Sequence, residues 1–173
     1  MKLTKLSLRG LLRFTDRVDL DFTGMPEGLI AITGDNGSGK TALLEAPLAA
    51  LYRQFPSREK GLVDYVSGPT KGMVEASFEL APGEPPLTAQ IWVHAKNRQS
   101  EALLTQGGKE LNDGKVSTYD AWVAEQLPSL SVLLASAFSA QDRRGSFAKL
   151  DRAGRKSLFS ELLGLERYDT MAQ

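Results

Sequence analysis

Apolar and polar residues alternate with a strand-like period along much of the first two-thirds of the chain, then switch to a helical period. Lys2–Arg9 alternates around Leu6 and Leu8, with Leu3 nearby, and predicts a strand. Arg17–Phe22 sets Val18, Leu20 and Phe22 on one side and Arg17, Asp19 and Asp21 on the other, as a half-buried antiparallel strand does. Gly28–Thr33 (GLIAIT) is a short unbroken apolar run and reads as a buried strand. Ala42–Tyr52 follows with Leu43, Leu44, Leu48 and Leu51 at helical spacing. Pro47 lies inside that run, removes one N–H and predicts a bend. Phe55–Thr70 is punctuated by Pro56, Gly61, Gly68 and Pro69 and predicts a long, mobile loop.

Met73–Leu80 then turns Val74, Ala76, Phe78 and Leu80 inward, and Leu87–Ala95 does the same with Leu87, Ala89, Ile91 and Val93. Ala81–Pro86 separates them. Ala102–Thr105 is a short strand closed by the hairpin-like turn Gln106–Lys109. The three segments form an antiparallel meander, unlike a βαβ repeat. Ser117, with Asp120 after it, resembles a capping box and opens a helix to about Gln126, before Pro128. Ser131–Ala137 is a short apolar helix, and Phe138–Leu150 is polar with Gly145 as a breaker. Asp151–Leu163 is a third helix with Leu158, Phe159, Leu162 and Leu163 on one face and Gly164 at its C′ position; Leu165–Gln173 begins another.

Composition narrows the class. At 173 residues with 42% apolar and 24% charged residues, the chain is long enough for one globular domain with a real core. A formal net charge of zero argues against a surface coated for nucleic acid, and the absence of cysteine excludes disulfides and thiolate metal sites. Lys5 and Arg9 interrupt the first apolar stretch, so it is no signal-peptide core, and no run approaches the roughly 20 apolar residues of a membrane helix. The expectation is a cytoplasmic protein with no membrane partner.

Between the GLIAIT run and the first helix stands Gly34-Asp35-Asn36-Gly37-Ser38-Gly39-Lys40-Thr41, the pattern G-x-x-x-x-G-K-[ST] in its strand–turn–helix context. Glycines allow positive φ and close approach of an anion. Successive N–H groups form a nest for phosphate oxygens, and the helix start adds the positive end of its dipole. Lys40 is placed for the β- and γ-phosphates and the Thr41 hydroxyl for Mg²⁺. A nucleotide hydrolase also needs carboxylates for metal and water at the end of an apolar strand. No such run occurs: Asp35 lies inside the loop, and Asp64 follows only Leu62-Val63. The reading is part of a larger protein, with its second half elsewhere.

The order of pieces resembles the N-terminal ATPase segment of the SbcC family, related to the RecF and SMC proteins. MKLTKLSLRGLLRF resembles the family's opening strand and Arg-bearing turn, ITGDNGSGKTALLEA its phosphate loop, FSAQDRRGSF its Q-loop, and RKSLFSELLGLERYDTMAQ the helix entering its coiled coil. The resemblance implies an α/β P-loop NTPase of ABC-ATPase type, present as an N-terminal half with an antiparallel meander and a helical arm leading to a coiled coil. It implies ATP and Mg²⁺ as cofactors. Gly34, Asp35, Asn36, Gly37, Ser38, Gly39, Lys40, Thr41 and Ala42 would bind the nucleotide, with Arg13 beside adenine or ribose. Gln141 would be the Q-loop glutamine, on Mg²⁺ with Thr41 and orienting water. Lys40 and Gln141 are thus the catalytic candidates. The implied partners are a second ATPase head in a homodimer, the chain's own C-terminal half, an SbcD-like nuclease and double-stranded DNA. Pro47 and the Asp-Arg-Arg after Gln141 depart from the family pattern.

The whole of 1–173 is read as one half-head: 1–56 carries strands, phosphate loop and first helix, 57–115 the loop and meander, 116–173 the helices and Q-loop. The alternatives are an ABC-transporter nucleotide-binding subunit, against which Gln141 stands unusually far from Thr41, and an SMC-like DNA clamp. Arg143, Arg144, Lys149, Arg152, Arg155 and Lys156 form a basic cluster that a DNA backbone could use, a solvated helix face being the plainer reading. His94 reads as a strand-surface or packed residue, and Trp92 and Trp122 as packing residues.

Overall fold

The computed structural model describes residues 1–26, 28–67, 71–139 and 150–163. The chain divides into two compact units, Met1–Gln126 and Leu127–Gln173.

In the first unit, strands β1 (Lys2–Arg9), β2 (Val18–Asp21), β3 (Lys71–Glu79), β4 (Leu87–His94), β5 (Gln99–Gln106) and β6 (Lys109–Glu110) form one sheet in the order β2-β1-β3-β4-β5-β6. Every neighbouring pair is antiparallel. The period-two pattern sets the register. Leu20, Leu6, Ala76, Ala89 and Leu104 are partners across the sheet, and so are Val18, Leu8, Val74, Ile91 and Ala102. Cross-strand partners share a face, so these two rows make one apolar surface. Leu8, Val74, Ala76, Ala89, Ile91, Ala102 and Leu104 are fully buried in it. Helix α1 (Lys40–Tyr52) packs against β1, β3 and β4 on this core, and α2 (Val116–Gln126) against β5. Each large apolar side chain enclosed this way contributes about 1.5–3 kcal/mol.

The opposite face is polar and laced by cross-strand pairs. Ser77 and Thr88 hydroxyls lie 2.9 Å apart, and His94 Nε2 is 3.2 Å from Glu101 Oε1. His94 is therefore a strand-surface residue, as its isolation in the sequence suggested. The Lys71 ammonium sits 5.5 Å from the Trp92 ring centroid. β5 is longer than the expected Ala102–Thr105 because pairing with β4 also recruits the polar residues Gln99–Glu101. The hairpin turn forms where expected, with Gly107 and Gly108 at φ 58 and 80, the positive values that a tight two-residue hairpin needs.

Four expectations change. First, Gly28–Thr33 is not a strand. Leu29 is 100% exposed and Ile30 51%. A strand needs a neighbouring backbone, and among the described residues none lies alongside this run. Second, α1 survives Pro47, as expected, but its buried face is not the leucine stripe. Leu48 and Leu51 are buried with Ala42, Glu45, Ala46, Ala49 and Ala50, while Leu44 is 51% exposed. Small alanines let the helix axis lie close to the sheet. Third, the described part of Phe55–Thr70 is packed rather than a loose loop. Phe55 and Leu62 are buried, Leu62–Tyr65 is a 3-10 turn, and the Phe55 and Tyr65 rings meet edge to face at 6.1 Å. Residues 68–70 lie outside the described residues. Fourth, the Ser117/Asp120 capping box does not form. α2 begins at Val116, and Asp120 instead receives Arg53 Nε at 2.7 Å. Asp113 serves the helix start, accepting from Lys115 N–H at 3.2 Å and from the Thr118 hydroxyl.

α2 is pinned to the end of α1. The buried Tyr119 hydroxyl donates to the Ala50 carbonyl at 2.5 Å, one of the last-turn carbonyls for which a helix has no internal partner.

In the second unit, α3 (Leu130–Ser136) starts at Ser129, whose Oγ accepts from Val132 N–H at 3.3 Å. α4 (Arg152–Leu162) starts at Asp151, which accepts from Gly154 N–H at 2.7 Å. Glu161 Oε1 accepts from Ser129 N–H at 3.2 Å and ties α4 to the start of α3. Leu158 is buried, whereas Phe159, Leu162 and Leu163 of the predicted apolar face are 51%, 49% and 65% exposed. Gln141, Gly145, Gly164, the helix expected at Leu165–Gln173, and Arg143, Arg144 and Lys149 of the basic cluster lie outside the described residues.

Candidate phosphate-binding site

The turn before α1 has the backbone that its glycines foretell. Gly37 and Gly39 adopt φ 79 and 105, and Gly34 adopts φ 155. Ser38 N–H closes the turn on the Asp35 carbonyl at 3.1 Å. Gly39 is the N-cap of α1 and brings no side-chain cap, and the first helical turn holds no acid. The first intrahelical bond runs from Leu43 N–H to the Gly39 carbonyl at 2.9 Å. The amides before it have no carbonyl of the helix to bond, and they stand at the positive end of the dipole. Ala42 has no polar side-chain atom, so its backbone N–H is the only group it could offer a ligand.

Two cations converge here. The Lys40 ammonium folds back over the loop and donates to the Gly34 and Asp35 carbonyls, both at 2.7 Å. Arg13 arrives from a turn far upstream: a Cβ built on Gly37 would lie 3.0 Å from Arg13 Nη1. The next residue, Phe14, presses its ring on the helix start, and a Cβ on Gly39 would meet Phe14 Cζ at 2.9 Å. The 10–14 turn is itself held in place. Gly10 and Leu12 have φ 62 and 54. Leu12 N–H donates to the Tyr65 carbonyl at 2.7 Å, and Ser67 N–H to the Gly10 carbonyl at 2.8 Å.

The structure thus brings together Arg13 and the segment Gly34–Ala42, including Asp35, Asn36 and Ser38 on the exposed rim and the half-buried Thr41. Gln141 lies outside the described residues, so no geometry joins it to Thr41. Two residues escaped the sequence reading. Phe14 carried no signal beyond its place after Arg13. Glu45 did carry one, being the only charged residue within the apolar helix ALLEAPLAALY. It is 1% exposed, and its carboxylate accepts from Ser57 N–H at 3.0 Å and Ser57 Oγ at 2.8 Å.

A helix start with no side-chain cap and no acid, positive-φ glycines and two convergent cations make a donor set for a polyanion, and the residues present fit the phosphates of a nucleotide. Among the described residues no helix is long and apolar enough to cross a membrane.

Comparison with known proteins agrees with this chemistry. The family model described as "AAA domain" (AAA_23) matches residues 5–166. The DNA double-strand break repair Rad50 ATPase of Thermoplasma acidophilum is 28% identical over 145 residues, covering 82% of this chain and 16% of that protein. The chromosome partition protein Smc of Rhodopirellula baltica is 27% identical over 181 residues, covering 96% of this chain and 14% of that protein. The chain therefore spans about a sixth or less of the length of these curated relatives. Among solved structures, an SMC head domain from Thermotoga maritima is similar at 22% identity and a TM-score of 0.47, over 65% of this chain and 39% of that one. With the family model spanning residues 5–166, this chain belongs to the AAA domain family, within the RecF/SMC/ABC ATPase superfamily, and has the α/β fold of the N-terminal half of a P-loop ATPase of ABC type.

Proposed function

We propose that this chain is the ATP-holding half of the head of an SbcC-like or Rad50-like DNA-repair ATPase. The observation that carries the reading is the convergence of Lys40 and Arg13 on an uncapped helix start whose first turn holds no acid. Lys40 and the amides of Gly34–Ala42 hold the phosphates, and Arg13, close over Gly37, serves the adenine or ribose. Thr41 would be the residue of this loop to hold Mg²⁺, and Gln141 keeps the Q-loop role that the resemblance implies. When bound, the metal offsets charge on the β- and γ-phosphate oxygens.

The head is completed by a further segment that supplies the carboxylates. An open apolar groove of about 400 Å³ supports this. Its walls include Leu6, Leu20 and Phe22 of the sheet side, Leu43 and Leu44 of α1, and Ile30 of the unpaired run. Backbone that has no sheet partner among the described residues, beside such a groove, leaves room for further strands. In this reading residues 1–56, 57–115 and 116–173 remain the working parts of the half-head. Two heads close on ATP, which favours the closed state by its higher affinity for it. Closure gates a partner nuclease on double-stranded DNA ends.

The test is titration with a fluorescent ATP analogue. The chain binds it, and Lys40→Ala weakens binding by about 10-fold or more, the worth of a lost charge-assisted bond. Equal affinity in the two proteins defeats the phosphate-site reading. Steady ATP turnover by the 173-residue chain alone, abolished by Lys40→Ala, defeats the half-head reading.

A second reading, an SMC-like clamp without a nuclease, is supported by the match to Smc over 96% of the chain. Coding sequence continuing past Gln173 separates the two: a long heptad region with a Cys-x-x-Cys apex supports the nuclease-gating protein.

A further inference from the structure

Glu45 is a buried carboxylate with no part in the phosphate chemistry, and its surroundings indicate a task. Enclosing a carboxylate is costly unless hydrogen bonds compensate. Here both oxygens are used on one residue, Ser57, through its amide and its hydroxyl. Ser57 lies at the start of the packed segment 55–67. That segment carries its own small core, in which the Arg58 guanidinium sits 5.2 Å from the Tyr65 ring centroid and 6.0 Å from that of Phe55. Its far end is bonded to the 10–14 turn by the Leu12–Tyr65 and Ser67–Gly10 bonds and the Leu11–Val66 bridge. That turn lays Arg13 over Gly37 and Phe14 against Gly39. Gly39 caps α1, the helix that bears Glu45. The contacts close into a ring: phosphate loop, α1, Glu45, Ser57, segment 55–67, the 10–14 turn, and the phosphate loop again.

We propose that Glu45 is a positioning residue that acts through Ser57 and segment 55–67 to hold the Arg13–Phe14 turn against the phosphate loop, so that Arg13 is in place before a nucleotide arrives. The proposal rests on the nucleotide-binding reading and deepens it. Holding a cation ready spares the ordering cost at the moment of binding. Glu45 therefore affects nucleotide affinity only to the extent that Arg13 contributes to it.

The experiment is a double-mutant cycle on affinity for a fluorescent ATP analogue, with wild type, Glu45→Ala, Arg13→Ala and the double variant. The expected result is a loss of about 10-fold for Arg13→Ala, a loss of about three- to tenfold for Glu45→Ala, and a double variant no weaker than Arg13→Ala. Glu45→Gln retains an acceptor for the Ser57 amide and a partner for its hydroxyl, and restores affinity. A Glu45→Ala loss that recurs in full in the Arg13→Ala background marks a merely structural role and overturns the proposal, as does wild-type affinity in Glu45→Ala. Should Glu45→Ala unfold the chain, Ser57→Ala takes its place in the cycle. Amide exchange at Leu12 and Ser67 then rises in Ser57→Ala while that of β4 stays unchanged; no rise overturns the proposal. Lys40→Ala separates the two levels. If it binds as well as wild type, the nucleotide reading itself fails; if it loses binding while Glu45 and Arg13 effects simply add, only the positioning role fails.

Discussion

Replacing Gly39 by alanine tests the geometry of the phosphate loop without touching a charge. Gly39 sits at φ 105, ψ 5, a conformation that L-residues rarely adopt. Forcing alanine there costs about 1–3 kcal/mol. The new Cβ also meets the Phe14 ring at 2.9 Å from Cζ and 3.3 Å from Cε2, so the ring must move. Displacing a packed side chain of this size costs about 1–3 kcal/mol. Together the two effects predict a loss of about 3 kcal/mol, read as a lower urea midpoint at unchanged slope. The second effect is separable. Phe14→Ala removes the ring, so in its background Gly39→Ala retains only the backbone cost and becomes cheaper by about 1 kcal/mol or more. Two outcomes refute the reasoning: a Gly39→Ala change within about 0.5 kcal/mol of wild type, or single-variant losses that add in the double variant to within about 0.5 kcal/mol.

Other expectations follow from single contacts. Tyr119→Phe removes the buried hydrogen bond to Ala50 and leaves that carbonyl unpaired, for a loss of about 2 kcal/mol in urea denaturation. Burial raises the Tyr119 phenol above its ordinary 10.0. The unfolded chain thus ionises first, and this contribution to stability, complete below pH 10.0, is lost as pH climbs beyond it; Tyr119→Phe flattens that alkaline loss. Leu29→Asp, at a fully exposed position, changes the stability of this chain by less than about 0.5 kcal/mol. In a co-purification with the completing half of the head it blocks assembly; undiminished assembly counts against a buried role for the GLIAIT run.

Local pattern settled more of this protein than its tertiary contacts did, and the division has a physical cause. Alternation in Leu87–Ala95 determined which side of β4 is buried, because a strand's side chains can only point two ways. The spacing of Gly34, Gly37 and Gly39 determined a turn with positive φ, since other residues resist it. The adjoining Lys40 set what that turn is expected to hold. The place of Arg13 came from resemblance, not from any pattern of its own. What local pattern could not express is which segment covers which. An apolar run states that it is to be buried and leaves its cover unnamed, so Gly28–Thr33 reads as an inner strand yet stands open. Asp120 lay within reach of a helix start in sequence, but the packing of α1 and α2 offered it Arg53. Pro56 and Gly61 masked two aromatics, Phe55 and Tyr65, that find each other only once the chain has turned. The 10–14 turn meets the phosphate loop through contacts between residues far apart along the chain, which no local pattern can state.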